Sequence, residues 1–297
     1  MEFMNTDMFN AIYGCLAKER GDKEAIVPRS TVKKAIEIYE ILGGTAFDVG
    51  SKDGEPKLTV LEEGNQFFVE FFQKNLIARL RLHYKAQSEQ WLKGSVPEYI
   101  QEALNALKFE ENQCEFYYPK IKDLVRKAIF LETVTAHSEK LVNNPDSGLF
   151  SVLSNKKYGE LGQLYDFLEL GVPNDLNVLG RAYSKFIEST GEEIIKAAKS
   201  SKDPTGKSFS YCQKRTEIVV CVVFPGKVIE LKNEMEKIES DCFHSNPQFQ
   251  LFRDAGFKAF ISNFDMAPLL FSYYIDFQFI RGIERFPNAI HPIFINS

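Results

Sequence analysis

Cysteine and histidine are scarce in this chain of 297 residues. The five cysteines show no short paired spacing and follow no secretory signal, so we expect neither a disulfide framework nor a zinc site, and we expect a reducing compartment. The four histidines include no pair at a metal-ligand spacing, which favours ordinary helix or loop positions over metal ligation or catalysis. These residues are Cys15, Cys114, Cys212, Cys221, Cys242, His83, His137, His244 and His291.

Long apolar runs and an excess of positive charge are also missing. The longest apolar run, residues 218–224, has seven residues, whereas a transmembrane helix needs roughly 20. The first eight residues include Glu2 and Asp7 and lack a basic, apolar targeting segment. The net charge is −5, and basic residues alternate with acidic ones. We therefore predict a cytoplasmic or nuclear protein that binds neither nucleic acid nor membrane.

Two patterns suggest chemistry but lack the surrounding residues that the chemistry needs. Gly206-Lys207-Ser208 resembles the end of a phosphate-binding loop, but the position five residues before the glycine is Ser201, and no buried strand precedes it. Adjacent carboxylates at 62–63, 110–111 and 192–193 point about 100° apart on a helix and are usually solvated. The sequence therefore assigns no catalytic, cofactor-binding or metal-binding residue, no cofactor and no small-molecule substrate.

Helical periodicity dominates what the sequence does contain. Large side chains recur every four residues from Phe68 to Tyr84, which predicts a long amphipathic helix over residues 65–92. Ser95 and Glu98 then form a capping box that starts a second helix. The predicted apolar positions are Phe68, Phe72, Leu76, Leu80 and Tyr84 in the first helix, and Val96, Tyr99, Ile100, Ala103 and Leu107 in the second, before Glu110-Glu111 interrupts the stripe.

Helices are predicted along the rest of the chain as well. Their ranges are 5–20, 30–42 with Ser30 as N-cap, 121–141, 146–153, 158–170, 175–198 and 228–242, with three more before residue 297. The helix over 121–141 is predicted to bury Leu124, Val125, Ala128, Ile129 and Val134. Residues 44–64 predict a loop with at most a brief strand at 58–61. Residues 199–226 leave open an edge strand at 218–224, a packed loop or a gene-model artefact, of which we favour an insertion or an artefact.

Several blocks of this pattern resemble, in the same order, the N-terminal region of the cullins, the scaffolds of multisubunit ubiquitin ligases. Residues 16–20 resemble the family's L-I-x-x-E-R, and residues 39–43 resemble its x-Y-x-x-L-G. Residues 71–88 are similar to F-x-x-x-F-L-x-x-T-x-x-F-Y-x-x-E-S, although His83 and Gln87 replace Phe and Glu. The other similar segments are 58–61, 98–117, 161–191 and 249–280.

The resemblance implies an all-α fold, an elongated stack of cullin-type helical repeats built as antiparallel helix bundles. It assigns residues 1–198 to the second repeat, apart from an N-terminal helix that could end the first, and residues 227–297 to part of the third, with an insertion or loop at 199–226. Cullins hold a substrate-recruiting adaptor at one end and a RING-binding domain at the other. The implied function is therefore a non-catalytic scaffold in ubiquitin-dependent protein degradation that binds ubiquitin-ligase subunits, through interface residues that the sequence leaves unknown.

The extent of the resemblance leaves several alternatives open. It implies that the first repeat, with its adaptor contacts, and the RING-binding domain are lacking, so a truncated gene model, a degenerate paralogue and a decoy for a cullin partner compete. A helical tether of the exocyst kind or a HEAT-like adaptor is the alternative function, and an enzyme is the third. A missing first repeat also predicts that an unpaired N-terminal helix exposes apolar residues and makes the chain associate. These residues are Phe9, Ile12, Tyr13 and Leu16.

Overall fold

The structure is a computed structural model that describes residues 2–20, 27–43, 45–48, 57–60, 68–200 and 217–280. It contains two compact units, Met1–His137 and Ser138–Ser297. Apart from one short hairpin, every element of regular structure in these ranges is helical. The predicted all-α class is therefore confirmed.

The first unit is built from helices α1 to α5. Its elements in chain order are α1 Glu2–Arg20, α2 Arg29–Gly43, β1 Thr45–Asp48, β2 Lys57–Val60, a π-helical stretch Phe68–Gln73, α3 Lys74–Trp91, α4 Val96–Tyr117, a 3₁₀ turn Pro119–Ile121, α5 Lys122–Phe130 and a second π-helical stretch Leu131–Thr135. The long helix predicted over 65–92 is thus a π-helical stretch followed by α3. Residues 61–67 lie outside the described ranges.

The helix starts show where local sequence decides structure. The capping box at α4 is confirmed, because the Glu98 amide donates to Ser95 Oγ at 3.4 Å and the Ser95 amide donates to Glu98 Oε2 at 2.9 Å. The N-cap predicted at Ser30 is wrong. The amide of Thr31 already bonds to the carbonyl of Pro28 at 2.9 Å, so α2 begins at Arg29 and Ser30 lies inside it.

The core of the first unit forms around the stripe that the sequence predicts on α3. All five predicted side chains from Phe68 to Tyr84 are buried, and apolar residues of α1 and α2 pack into the same cluster. The expectation of an exposed N-terminal helix is therefore wrong. The residues that correct it are Phe9, Ile12 and Leu16, which are buried, and Tyr13, which is half-buried.

Two further sequence expectations in this unit change. Leu124 is predicted in the core but is 42% exposed, whereas the other four residues predicted on that face are buried. The brief strand predicted at 58–61 is β2, which pairs with β1 in an antiparallel hairpin that aligns Thr45 with Val60. Strand β1 falls where the sequence pattern predicts only a loop.

The second unit is entirely helical within the described residues. Its helices are α6 Ser138–Val142, α7 Leu149–Ser154, α8 Tyr158–Glu169, α9 Pro173–Ser200, α10 Glu217–Cys242, α11 Pro247–Ser262 and α12 Ala267–Ile280. The single helix predicted over 121–141 is thus α5, a π-helical stretch and α6. Of the three helices predicted after residue 242, α11 and α12 are described, and residues 281–297 lie outside the described ranges.

The loop or edge strand predicted within 199–226 is wrong for the residues that the structure describes there. Residues 199–200 end α9, and residues 217–226 begin α10, although this segment is rich in β-branched residues and contains Pro225. Propensity yields to packing here, because Phe224 is buried with its ring centroid 5.1 Å from that of Phe264 and 6.0 Å from that of Phe271. Residues 201–216 lie outside the described ranges.

The boundaries predicted for the repeats do not coincide with the division into compact units. That division falls after His137, whereas the sequence places boundaries at residues 198 and 226, the second of which lies inside α10. Compact units and sequence repeats are different kinds of division. The assignment of residues to repeats therefore stays a prediction.

Helices α9 and α11 pack closely because glycines lie between them. A Cβ built on Gly256 would lie 2.6 Å from the carbonyl oxygen of Ser184, and one on Gly191 would lie 2.2 Å from the ring of Phe260. The residues predicted along the seam of α10 are all buried. They are Val228, Leu231, Met235, Ile238 and Cys242.

Candidate functional site

A buried ion pair connects three helices of the first unit. Glu110 of α4 is fully buried, and its carboxylate accepts hydrogen bonds from Nε and Nη2 of Arg20 at the end of α1, the second at 3.1 Å. The hydroxyl of Tyr84 on α3 donates to the same carboxylate at 2.7 Å. Because the side chain of Arg20 is only 5% exposed, both charges are held inside the protein and neutralise each other.

Glu19 extends this network to α2. Its carboxylate accepts hydrogen bonds from Arg29 of α2 and from Gln113 and Tyr117 of α4, each at 2.7 Å. Burial by itself would raise the pKa of Glu19, but these three hydrogen bonds outweigh it and hold the pKa below its usual value. We call this set of residues the α1–α4 polar cluster. Its members are Glu19, Arg20, Arg29, Tyr84, Glu110, Gln113 and Tyr117.

The α1–α4 polar cluster corrects the expectation that both Glu110 and Glu111 are solvated. Glu110 is buried, whereas Glu111 is half-buried and lies 3.7 Å from Arg126. The helical spacing from Leu107 through Glu110 to Cys114 continues the buried stripe, so periodicity could have located this position. The sequence pattern could not identify its charged partner, Arg20, which lies 90 residues earlier in the chain.

The chemistry of the α1–α4 polar cluster is structural. Burial and the neighbouring carboxylate of Glu110 raise the pKa of Tyr84, which keeps its hydroxyl protonated as a donor. Burial by itself would lower the pKa of Arg20, but Glu110 raises it, so the guanidinium stays charged. Both carboxylates are engaged by matched donors. This arrangement fixes the positions of α1, α2, α3 and α4.

The second unit has its own buried ion pair. Glu239 of α10 is 4% exposed, accepts from Nη1 of Arg253 on α11 at 2.9 Å and lies 3.3 Å from the hydroxyl of Tyr183. Burial raises the pKa of Glu239, although Arg253 opposes that effect. An open depression of about 330 Å³ lies over this pair. Its lining residues are Glu236, Glu239, Ser240, Ser245, Gln250 and Arg253.

This depression does not have the features that favour an enzyme. Its two buried charges are paired with each other, and Arg253 also lies 3.5 Å from Glu236 and 3.1 Å from Asp254. A deep pocket with convergent, unengaged polar groups would be needed to support catalysis. The site is better described as the contact that holds α10 to α11.

The two buried cysteines, Cys114 and Cys242, are poor nucleophiles. Burial raises the pKa of Cys114 to about 12 and also raises the pKa of Cys242. Since the thiolate is the reactive form, neither side chain is prepared for covalent catalysis. Cys15 is half-buried. The side chains of Cys212 and Cys221 lie outside the described set.

Histidines and carboxylates do not gather into a metal site within the described ranges. His83 stacks edge-on against Tyr84, His137 bonds to Ser88 at 2.9 Å, and Nε2 of His244 lies 2.8 Å from Asp166. Three of the segments that the sequence analysis considered and rejected as sites fall outside the described residues, namely His291, Gly206-Lys207-Ser208 and the carboxylate pair at 62–63. Within the described helices, none combines the length and apolar character needed to cross a bilayer.

The fold and its paired polar clusters define a protein built from packed amphipathic helices. Its sequence matches the family model described as the Cullin alpha solenoid domain over residues 2–286. That match covers nearly the whole chain, and the chain therefore belongs to the cullin family. The resemblance found in the sequence is thus confirmed.

Individual relatives show the same affiliation at low identity. The chain is 22% identical over 283 residues to Cullin-3 of Dictyostelium discoideum, a match that covers 93% of this chain and 31% of the relative. It is 21% identical to Cullin-3A of Arabidopsis thaliana, covering 75% of this chain and 28% of the relative. It is 21% identical to the Putative cullin-like protein 1 of Arabidopsis thaliana, a match that covers 92% of this chain and 34% of the relative. The chain spans about a third of the length of these curated relatives.

Proposed function

We propose that this chain is a non-catalytic scaffold in ubiquitin-dependent protein degradation and that it binds ubiquitin-ligase subunits. The observation that carries the proposal is the match to the cullin family over residues 2–286. Family membership favours this function over the alternative of a tethering rod of exocyst or HEAT type. The proposal places the chain in the cytoplasm or nucleus, with proteins as its partners.

A scaffold of this kind acts by position. Holding two reactants at a fixed separation raises their effective concentration, and it does so only if the connecting protein keeps its shape. The interior of the first unit supports this role, because the α1–α4 polar cluster fixes four helices through hydrogen bonds between buried charged groups. Such groups are costly to rearrange, since a displaced member leaves an unpaired buried charge.

The buried thiols also support a non-catalytic role. A ligase that carries ubiquitin itself needs an accessible thiolate to form a thioester. Cys114 and Cys242 are buried with raised pKa values, so neither of these two thiols is suited to that step.

We further assign residues 1–198 to the second cullin-type repeat and residues 227–297 to part of the third. The resemblance of residues 161–191 to the cullin segment that closes the second repeat, and of residues 249–280 to the third repeat, supports this assignment. Under this assignment, the first compact unit belongs to the second repeat.

Quantitative affinity purification tests the proposed function. The tagged chain is expressed in its own cells and compared with Leu80→Asp, which places a charge at a fully buried core position of α3 and unfolds the first unit. We expect ubiquitin-ligase subunits to be enriched with the wild-type chain and lost with the variant. Equal recovery from both samples contradicts the proposal.

A thioester assay tests the non-catalytic part separately. The purified chain is mixed with a ubiquitin-charged carrier and analysed with and without reducing agent. We expect no reductant-sensitive ubiquitin adduct on the chain. An adduct that disappears when Cys15 is replaced by serine contradicts the scaffold account and points to a catalytic cysteine.

A further inference from the structure

Three buried polar atoms at or beside the α1–α4 polar cluster make no hydrogen bond with any residue that the structure describes. They are Nη1 of Arg20, Oε1 of Gln113 and the hydroxyl of Tyr118. The side chain of Arg20 is 5% exposed, Gln113 is 2% exposed and Tyr118 is fully buried. Because native proteins pair nearly all buried polar groups with protein atoms or ordered water, three such atoms in one region indicate a bound small ligand.

The other contacts of these side chains fix what each atom can do. Arg20 binds the Glu110 carboxylate with Nε and Nη2, so Nη1 lies off the edge that forms this pair and is available only as a donor. Gln113 donates from Nε2 to Glu19, and reversing the amide would place its oxygen against that carboxylate, so Oε1 is an acceptor. Burial raises the pKa of Tyr118 well above its usual value, so its hydroxyl stays protonated. The three atoms are thus a donor, an acceptor and a hydroxyl that can be either.

The three side chains belong to one region of the core. Arg20 at the end of α1 bonds to Glu110 of α4. The preceding residue, Glu19, bonds to Gln113, which lies one turn further along the same face of α4. Tyr118 directly follows α4 and is buried in the core of the same unit, and its hydroxyl and Arg20 each contribute to the pKa of the other. A single small molecule can therefore serve all three.

We propose that one internal water molecule binds between Arg20, Gln113 and Tyr118. Its oxygen accepts a hydrogen bond from Nη1 of Arg20, one of its hydrogens is donated to Oε1 of Gln113, and the hydroxyl of Tyr118 completes the site. Buried waters typically make about three hydrogen bonds to polar groups that protein atoms leave unpaired. The number and the kind of unpaired atoms in this region match that requirement.

The charges around the site select a neutral ligand. A cation would lie against the guanidinium of Arg20, and an anion would meet the oxygen of Gln113 and the carboxylate of Glu110. A neutral molecule that both donates and accepts satisfies all three atoms without adding a buried charge. Water is the smallest molecule with that property.

The water extends the α1–α4 polar cluster to the junction between α4 and α5. Tyr118 caps α4, since its amide bonds to the carbonyl of Cys114 at 2.9 Å, and it precedes the 3₁₀ turn that leads into α5. A water held by Arg20 and Tyr118 therefore links the end of α1 to this junction. Because the three side chains are enclosed, we expect the water to leave only when the first unit opens, so its exchange with solvent is slow.

Tyr118→Phe in the full chain tests the site by the sign of its effect on stability. The substitution removes one hydroxyl and keeps the shape of the ring. If the hydroxyl bonds to the water, the urea midpoint reported by the single tryptophan, Trp91, should fall by roughly 0.5 M, because a hydrogen bond is lost. A midpoint that rises or does not change would show that the hydroxyl has no partner and would overturn the proposal.

Tyr99→Phe is the matched reference for this measurement. The hydroxyl of Tyr99 is buried and donates to the carbonyl of Thr133 at 2.6 Å, so its loss should lower the midpoint. This variant shows that the assay detects the loss of one hydrogen bond from a buried tyrosine of the same unit.

Magnetic relaxation dispersion of water deuterons detects the water directly, because it counts internal waters that stay bound for longer than the protein takes to tumble. Gln113→Leu/Tyr118→Phe removes two of the three partners, and circular dichroism confirms that the variant is folded. We expect the dispersion amplitude to fall by the equivalent of one water relative to wild type and to stay unchanged in Tyr99→Phe. Equal amplitudes in wild type and the double variant overturn the proposal.

A crystal structure of the wild-type chain decides the question without any variant. We expect an ordered water within about 3.2 Å of Nη1 of Arg20, Oε1 of Gln113 and the hydroxyl of Tyr118. Electron density that shows no water between them, or direct hydrogen bonds among the three side chains, overturns the proposal.

Discussion

Replacing Glu110 by glutamine removes one charge of the buried ion pair and tests how much that pair contributes to the stability of the first unit. The substitution keeps the shape of the side chain and its ability to accept from Tyr84. It removes the charge that neutralises Arg20, whose side chain is 5% exposed. Because an uncompensated buried charge remains, the free energy of unfolding should fall by about 3–5 kcal/mol.

Glu111→Gln is the matched control, one residue away on the same helix. Glu111 and Arg126 lie 3.7 Å apart, and their side chains are 30% and 46% exposed. A pair of this kind contributes about 0–1 kcal/mol. The double variant Arg20→Met/Glu110→Leu removes both charges together. Its loss should be smaller than that of Glu110→Gln, because no buried charge is left without a partner.

Urea unfolding followed by tryptophan fluorescence measures this difference. The chain has one tryptophan, Trp91, which is half-buried against the core of the first unit, so its emission reports on that unit. With a slope of about 1–3 kcal/mol per molar urea, Glu110→Gln should lower the midpoint by roughly 1 M or more. A midpoint equal to that of Glu111→Gln would show that the buried pair contributes no more to stability than an exposed one.

Three further predictions concern packing and pH. Gly256→Ala places a Cβ 2.6 Å from the Ser184 carbonyl oxygen, so it should destabilise the protein, because an overpacking cost of about 1–3 kcal/mol outweighs a helix-propensity gain of about 1 kcal/mol. The control is Gly162→Ala, whose added Cβ would have its nearest neighbour 4.0 Å away and which should be neutral or stabilising. Circular dichroism in urea measures both variants. Leu107→Ala should cost about 2–5 kcal/mol by the same measurement, and an unchanged midpoint would show that the α4 register is wrong. Burial, reinforced by Arg20, lowers the pKa of His83 below its usual 6.5. The unfolded chain therefore binds this proton more readily than the folded chain, and the free energy of unfolding falls as pH drops below about 6.5. Between about pH 7 and pH 5, the urea midpoint of His83→Gln should fall less than that of wild type. An equal fall would show that His83 does not contribute.

The sequence predicts this fold well where short-range patterns decide structure. The four-residue recurrence from Phe68 to Tyr84 marks a buried stripe, and Ser95 with Glu98 marks the start of α4 to the residue. Both signals are local, because helix geometry relates residues three and four apart. The seam of α10 is predicted for the same reason.

The errors arise where residues distant in sequence decide the outcome. The burial of Glu110 depends on Arg20, and the burial of Phe9 depends on the core that α2 and α3 supply. Leu124 sits at a spacing that fits the core face, yet the packing of α5 against both α3 and α4 leaves it outside.

Helix α10 shows a different limit. The β-branched residues at 218–223 favour a strand by propensity, and Pro225 argues against a helix interior, but Phe224 packs with aromatic residues of the second unit. Burial of a large aromatic side chain contributes more than the propensity difference of a few residues. Tertiary contacts therefore decide this segment.

Direct titration of purified components tests the proposed binding of ubiquitin-ligase subunits most simply. Each ubiquitin-ligase subunit recovered with the chain is purified and titrated with it by isothermal calorimetry. The proposed function predicts saturable, one-to-one binding of at least one subunit with a dissociation constant of about 1 μM or tighter, equivalent to about −8.2 kcal/mol. No measurable binding of any recovered subunit at concentrations of about 100 μM, or binding that Leu80→Asp leaves intact, would contradict it.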